Sequence, residues 1–156
     1  MKIGGVDPTT LKAEEVLVLP RGEDVIVFRA QGLKDMEEFF KLCPEPEPPR
    51  KQTREGVVAD LEDDGYQKML VEHRRRYMSY MVIRALEPSQ IEWDSVQLDN
   101  PLTWTNWERD LKVAGLMQVE CNRIVSLVMQ ANCLDEAKLD KARELFQRGT
   151  PGPSGA

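Results

Sequence analysis

One histidine, three cysteines and one knot of acids are the side chains in this sequence whose types could do chemistry. His73 stands before Arg74-Arg75-Arg76, in a helical pattern beside Leu70 and Tyr77. A lone imidazole there could serve as a general base or a pH switch. The same position also suits a histidine that only packs on a helix flank, and the spacing favours that role. Cys43, Cys121 and Cys133 are too dispersed for a paired-cysteine zinc site, and a single histidine does not complete one. They read as small hydrophobes. Asp60, Glu62, Asp63 and Asp64 lack the alternating oxygen ligands and terminal glutamate of a calcium loop, so the cluster reads as a solvated turn. The chain holds no glycine-rich phosphate loop, no Gly-x-Ser-x-Gly elbow and no His-Glu-x-x-His pair. The expectation is a protein without catalytic residues, metal or cofactor.

The bulk properties narrow the class further. At 156 residues the chain is long enough for one domain and too short for two ordinary ones. Apolar residues, at 41%, suffice for a modest core. Twenty-one Lys and Arg against 27 Asp and Glu leave a net charge of −6, which argues against general nucleic-acid binding because phosphate attraction needs clustered cations. No apolar run approaches the roughly 20 residues that span a bilayer. Met1–Gly5 lacks the apolar stretch of a signal peptide, and an odd cysteine count fits reduced thiols. A soluble protein of the cytoplasm is the expectation, with no membrane partner.

The elements that must position any site begin with a β-hairpin. Val16-Leu17-Val18-Leu19 and Val25-Ile26-Val27-Phe28 are β-favouring runs around the turn-rich Pro20–Asp24. A lone two-stranded ribbon is marginal, so it must dock on helices or on a partner's strand. Leu33, Met36, Phe39, Phe40 and Cys43 then recur every three or four residues, which predicts a short helix. Together residues 1–42 form the first unit. Residues 43–64 follow as an acidic, proline-rich loop, with Pro44, Pro46, Pro48 and Pro49 excluding helix and Gly56–Ala59 hinting at a short strand. A helical region covers 65–148 and a disordered tail 149–156. Within the helical region a long helix runs from Asp64-Gly65 to about Leu86. Leu70, Val71, Tyr77, Met78, Met81, Val82 and Ala85 share one arc of it, with Arg74 projecting into that arc.

The C-terminal third predicts three short helices packed as a bundle. Asn100-Pro101 is a start signal, with a second capping pattern at Thr105–Glu108, and Gly115 is a left-handed stop. The following helix carries Cys121, Ile124, Leu127, Val128 and Ala131; a third, from Asp135, carries Leu139, Ala142, Leu145 and Phe146 facing inward. The 111–120 segment also has helix-turn-helix spacing, yet its second helix supplies only Arg123 beside Glu120, too few cations to read DNA. Trp104 and Trp107 read as core, whereas Trp93 fits either core or a partner contact. The overall expectation is a mainly α (α+β) fold: N-terminal hairpin and short helix, one long helix, and a C-terminal three-helix bundle.

Several segments carry a resemblance. Ile91–Val96, Asn100–Trp104 with Trp107, Ala114-Gly115-Leu116, Glu120–Ile124, Ala131–Glu136 and Ala142–Phe146 resemble the tail assembly chaperones of tailed phages and prophages, best over residues 87–147. Met117 stands where a capping Ser or Thr is usual in that pattern. The resemblance implies a non-enzymatic protein that holds a long helical tape-measure protein while tail-tube subunits assemble around it, in the bacterial host cytoplasm. Expected exposure of apolar groups nominates Val16, Leu17, Val18, Leu19, Tyr80, Trp93 and Leu98 as partner contacts. A minor tail or connector subunit retained in the virion is the alternative, with the hairpin pairing to a neighbour's strand, and a helix-turn-helix regulator is a third. A homo-oligomer is compatible with all of them.

Overall fold

A computed structural model describes residues 1–11 and 14–149. The fold is mixed α+β, 51% helix against 18% strand, so helix dominates while two small antiparallel sheets supply the rest. The expected disordered tail lies, from Thr150 on, outside the described residues.

The chain falls into two compact units that do not follow its order. The first collects Met1–Leu33, Ala85–Ile91 and the chain from Met117 onward; the second collects Lys34–Arg84 and Glu92–Leu116. Sequence position had grouped 1–42 together and 65–148 together. The spatial grouping joins the N-terminal hairpin to the last two helices.

In the first unit, strands β1 (Glu14–Arg21) and β2 (Asp24–Gln31) pair antiparallel, with Val18 opposite Val27 and Arg21 opposite Asp24. Both strands extend further than the apolar runs alone suggest, leaving a turn of only Gly22 and Glu23. Gly22 at φ +60° takes the first turn position, where an L side chain would be strained. Pro20 lies inside β1, where its missing N–H would otherwise point off the ladder edge. Alternation sets the faces: Leu19, Phe28 and Ala30 are buried, while Val16, Val18, Val25 and Val27 are exposed. The buried face packs against α4 (Gln118–Ala131), whose Cys121, Ile124, Leu127, Val128 and Ala131 are all buried. Helix α5 (Glu136–Gly149) follows and buries no residue.

The second unit contains α1 (Glu37–Leu42), the hairpin of β3 (Arg50–Thr53) and β4 (Gly56–Ala59), α2 (Asp64–Ala85) up to Arg84, and α3 (Trp107–Val113). The proline-rich stretch avoids helix as expected, but it is not only a loop. Extended backbone at Pro48-Pro49 runs straight into β3, and Asp60 N–H closes the hairpin on Pro49 O at 2.6 Å. Asp63 caps α2 by accepting the Tyr66 amide at 2.9 Å. Asn100 accepts the Leu102 amide at 3.1 Å and opens a tight turn over Pro101–Asn106 that leads into α3. α3 stops at Gly115, φ +103°, where the Leu116 amide reaches Leu111 O and the Gly115 amide reaches Lys112 O, both at 3.0 Å.

Two packing expectations change. α2 buries its last two turns on every side, from Ser79 through Ile83 and again at Ala85 and Leu86 just beyond, while Val71 and Arg74 nearer its start are exposed. Burial varies along this helix more than around it, so a stripe averaged along the axis misplaces Val71. The expected inward face of the third helix is also exposed: α5 leaves Leu139 and Leu145 outside, with α3 in one unit and α4 and α5 in the other. Replacing Ile124, fully buried, by Ala should lower unfolding stability by about 2–5 kcal/mol. Leu145→Ala should shift it by no more than about 0.5 kcal/mol. Urea midpoints of the two variants check the contrast.

Candidate functional site

Side-chain ties turn the β1–β2 ribbon and α4 into a rigid platform. At the hairpin turn, Arg21 donates from both terminal nitrogens to Glu120, at 2.7 Å to Oε2 and 2.5 Å to Oε1. Such fork-on-fork pairing fixes direction as well as distance. Glu120 is the third residue of α4 and its side chain is only 6% exposed, yet Oε1 also accepts the Met117 amide at 3.0 Å. One carboxylate therefore caps the helix and holds a turn 99 residues away in sequence. The Arg21 guanidinium first, and the Met117 amide second, hold the Glu120 carboxyl below the usual carboxylate range, against the upward push of burial. Arg21 is pushed up in turn by Glu120.

The other end of α4 is tied too. Asn132 Oδ1 accepts the Leu33 amide at 2.8 Å, and its Nδ2 donates to Val128 O at 2.9 Å. Lys138 of α5 bridges Glu15 of β1 and the Gln130 carbonyl. Along the outer edge of β2, Ser89 Oγ accepts the Arg29 amide and donates to the Arg29 carbonyl, each at 2.7 Å. The platform presents Val16, Val18, Val25 and Val27 outward.

In the second unit the aromatic side chains gather on Phe39. Its ring centre lies 5.1 Å from Tyr77, 5.2 Å from His73 and 5.7 Å from both Tyr80 and Trp104. His73 Nε2 meets the Cys43 carbonyl at 3.1 Å, while its ring packs on Phe39. Asp110, 8% exposed, accepts the Ser95 amide at 2.8 Å and the Ser95 hydroxyl at 2.5 Å, pinning the loop that carries Trp93. Arg74 lines two open clefts of about 400 and 310 Å³, one with Trp107 and Met78, the other with Tyr66, His73 and Tyr77.

The nominated contact residues separate. Val16, Val18 and Leu98 are exposed, and Leu17 and Trp93 are half-buried. Tyr80 and Leu19 are buried, so the exposure that nominated them is absent. Tyr80 stacks 4.7 Å from the Trp104 ring, and Leu19 falls on the hairpin face turned to α4. Sequence reasoning missed Arg21, Glu120, Ser89 and Asn132. Only Glu120 carried a signal, as an acid in the first turn of a helix.

Among the described residues, no group of three or more His, Cys, Asp or Glu side chains could hold a metal ion. The acidic knot is accounted for locally: Asp63 caps α2 and Asp60 meets Lys51 at 3.5 Å. No described helix is long and apolar enough to cross a membrane. No protein-family model, curated protein or solved structure matches the chain.

A carboxyl whose folded pKa lies below its unfolded value supplies stability in full at neutral pH and loses it as acid protonates it. Wild type should therefore lose stability steeply as pH falls through and below the ordinary glutamate range. Glu120→Gln should be less stable at pH 7 and show a shallower acid limb. Thermal unfolding of both proteins from pH 7 to 3 reads the difference.

Proposed function

We propose that this protein is a non-enzymatic tail assembly chaperone of a tailed phage or prophage, acting in the host cytoplasm on the tape-measure protein and tail-tube subunits. The observation that carries the reading is α5, an amphipathic helix whose apolar side stays uncovered. Leu139 and Leu145 are 38% and 60% exposed, with Ala142 also exposed between them. An apolar stripe spaced three residues apart is what a helix-in-groove contact uses, and the client expected here is itself a long helix. The resemblance over residues 87–147 supplies the family context, and α5 lies largely within it. The client contact is assigned to Leu139 and Leu145 of α5. Tyr80 and Leu19 drop out as buried residues.

Co-expression with the tape-measure protein tests this. Wild type should keep the client soluble and co-purify with it. Leu145→Asp, at an exposed position, should leave the unfolding midpoint unchanged and lose the client. A client equally soluble with and without this protein would overturn the reading. Recovery of this protein from purified particles would favour a minor tail or connector subunit, since a chaperone leaves before maturation.

A further inference from the structure

On the β1–β2 ribbon the outer edge of β2 is covered at Arg29, while the outer edge of β1 has no such cover at Val16 and Val18. Around its two-residue turn Arg21 pairs with Asp24. The antiparallel alternation then has Leu19, Leu17 and Glu15 exchange hydrogen bonds with β2, while Pro20, Val18 and Val16 direct their backbone groups outward. Arg29, opposite Val16, obeys the same alternation on β2, and Ser89 satisfies its outward N–H and C=O. On β1, Pro20 has no N–H to present, but Val16 and Val18 each present both groups. Neither makes a backbone hydrogen bond outside the ladder among the described residues.

Beside this edge runs a cleft of about 260 Å³, lined by Val16 and Leu17 of β1 and by Arg123, Ser126, Leu127 and Gln130 of α4. The four α4 residues follow i, i+3, i+4, i+7 spacing, so they form one row facing the strand. The row is apolar at Leu127, polar at Ser126 and Gln130, and charged only at Arg123. Arg123 is exposed and has no carboxylate partner among the described residues.

The geometry points to the free edge of β1 as a docking site for an extended segment of a partner polypeptide that carries a carboxylate. The segment adds as a third strand, pairing its backbone with Val16 and Val18. Its alternate side chains reach the Leu17–Leu127 floor, and its carboxylate meets Arg123. A second copy of β1 would fit less well, because its Glu14 and Glu15 are already committed to Arg29 and Lys138. This surface is separate from the α5 stripe and does not depend on the client assigned there.

The probe is a set of blocked, fluorescently labelled hexapeptides of alternating Val and Thr that end in Glu, Gln or Lys. Wild type should bind the Glu peptide about threefold or more tighter than the Lys peptide. Arg123→Glu should reverse that order. Val18→Pro removes one outward N–H and spares the ladder, so it should weaken binding by at least about fivefold with the unfolding midpoint retained. If Val18→Pro fails to fold, the charge reversal at Arg123 decides alone. No binding, binding blind to the terminal charge, or a dimer of this chain that Val18→Pro dissolves would each overturn the proposal.

Discussion

The carboxylate of Glu120 is the constraint on which the first unit depends. Enclosure of this glutamate disfavours its charge, and Arg21 on both oxygens with the Met117 amide as a third donor outweighs that and favours the carboxylate. Replacing such a pair by well-packed apolar side chains can be neutral for stability, so its value here lies in direction. It fixes which end of α4 faces the hairpin turn. A one-residue slip of either strand would swing Leu19 and Phe28 to the outside and carry Arg21 away from its partner. Asn132 and Lys138 hold the opposite end, so the ribbon is fastened at both ends and is free to present its outer valines without twisting off.

The second unit solves a different problem with aromatic rings. Short α1 cannot stand alone, and Phe39 supplies what its six residues lack by lying among Tyr77, Tyr80 and Trp104. Asp110 and Ser95 then fasten the loop ahead of α3, which leaves Trp93 half-buried and Leu98 exposed. Each unit thus combines an apolar centre with one buried carboxylate that ties a loop or turn to a helix. Buried polar groups of this kind specify one arrangement, since every competing arrangement leaves the carboxylate unpaired. The first unit leaves two features uncovered: an apolar helix stripe on α5 and the backbone edge of β1. A binding protein for polypeptide clients can use both, because helices dock by side-chain rows and extended chains by backbone pairing.

Local signals in the sequence were decisive wherever the physics is local. The β-branched runs set the hairpin, Gly22 set its turn, Asn100-Pro101 and Gly115 set the limits of the α3 region, and the prolines kept 44–49 extended. These depend on dihedral preference and on hydrogen bonds spanning a few residues, so neighbours in sequence suffice to determine them. Tertiary structure alone decided the rest. Leu139 and Leu145 have helical spacing that suits a bundle core equally well, and only the packing of α4 on the hairpin leaves them outside. Tyr80 and Val71 could not be sorted by an angular count, because enclosure of α2 changes along its length. The Arg21–Glu120 fork joins residues 99 positions apart, and no pattern in either neighbourhood names the other. Pairing at that distance depends on which faces the chain buries together, which is a property of the folded whole and not of any stretch of it.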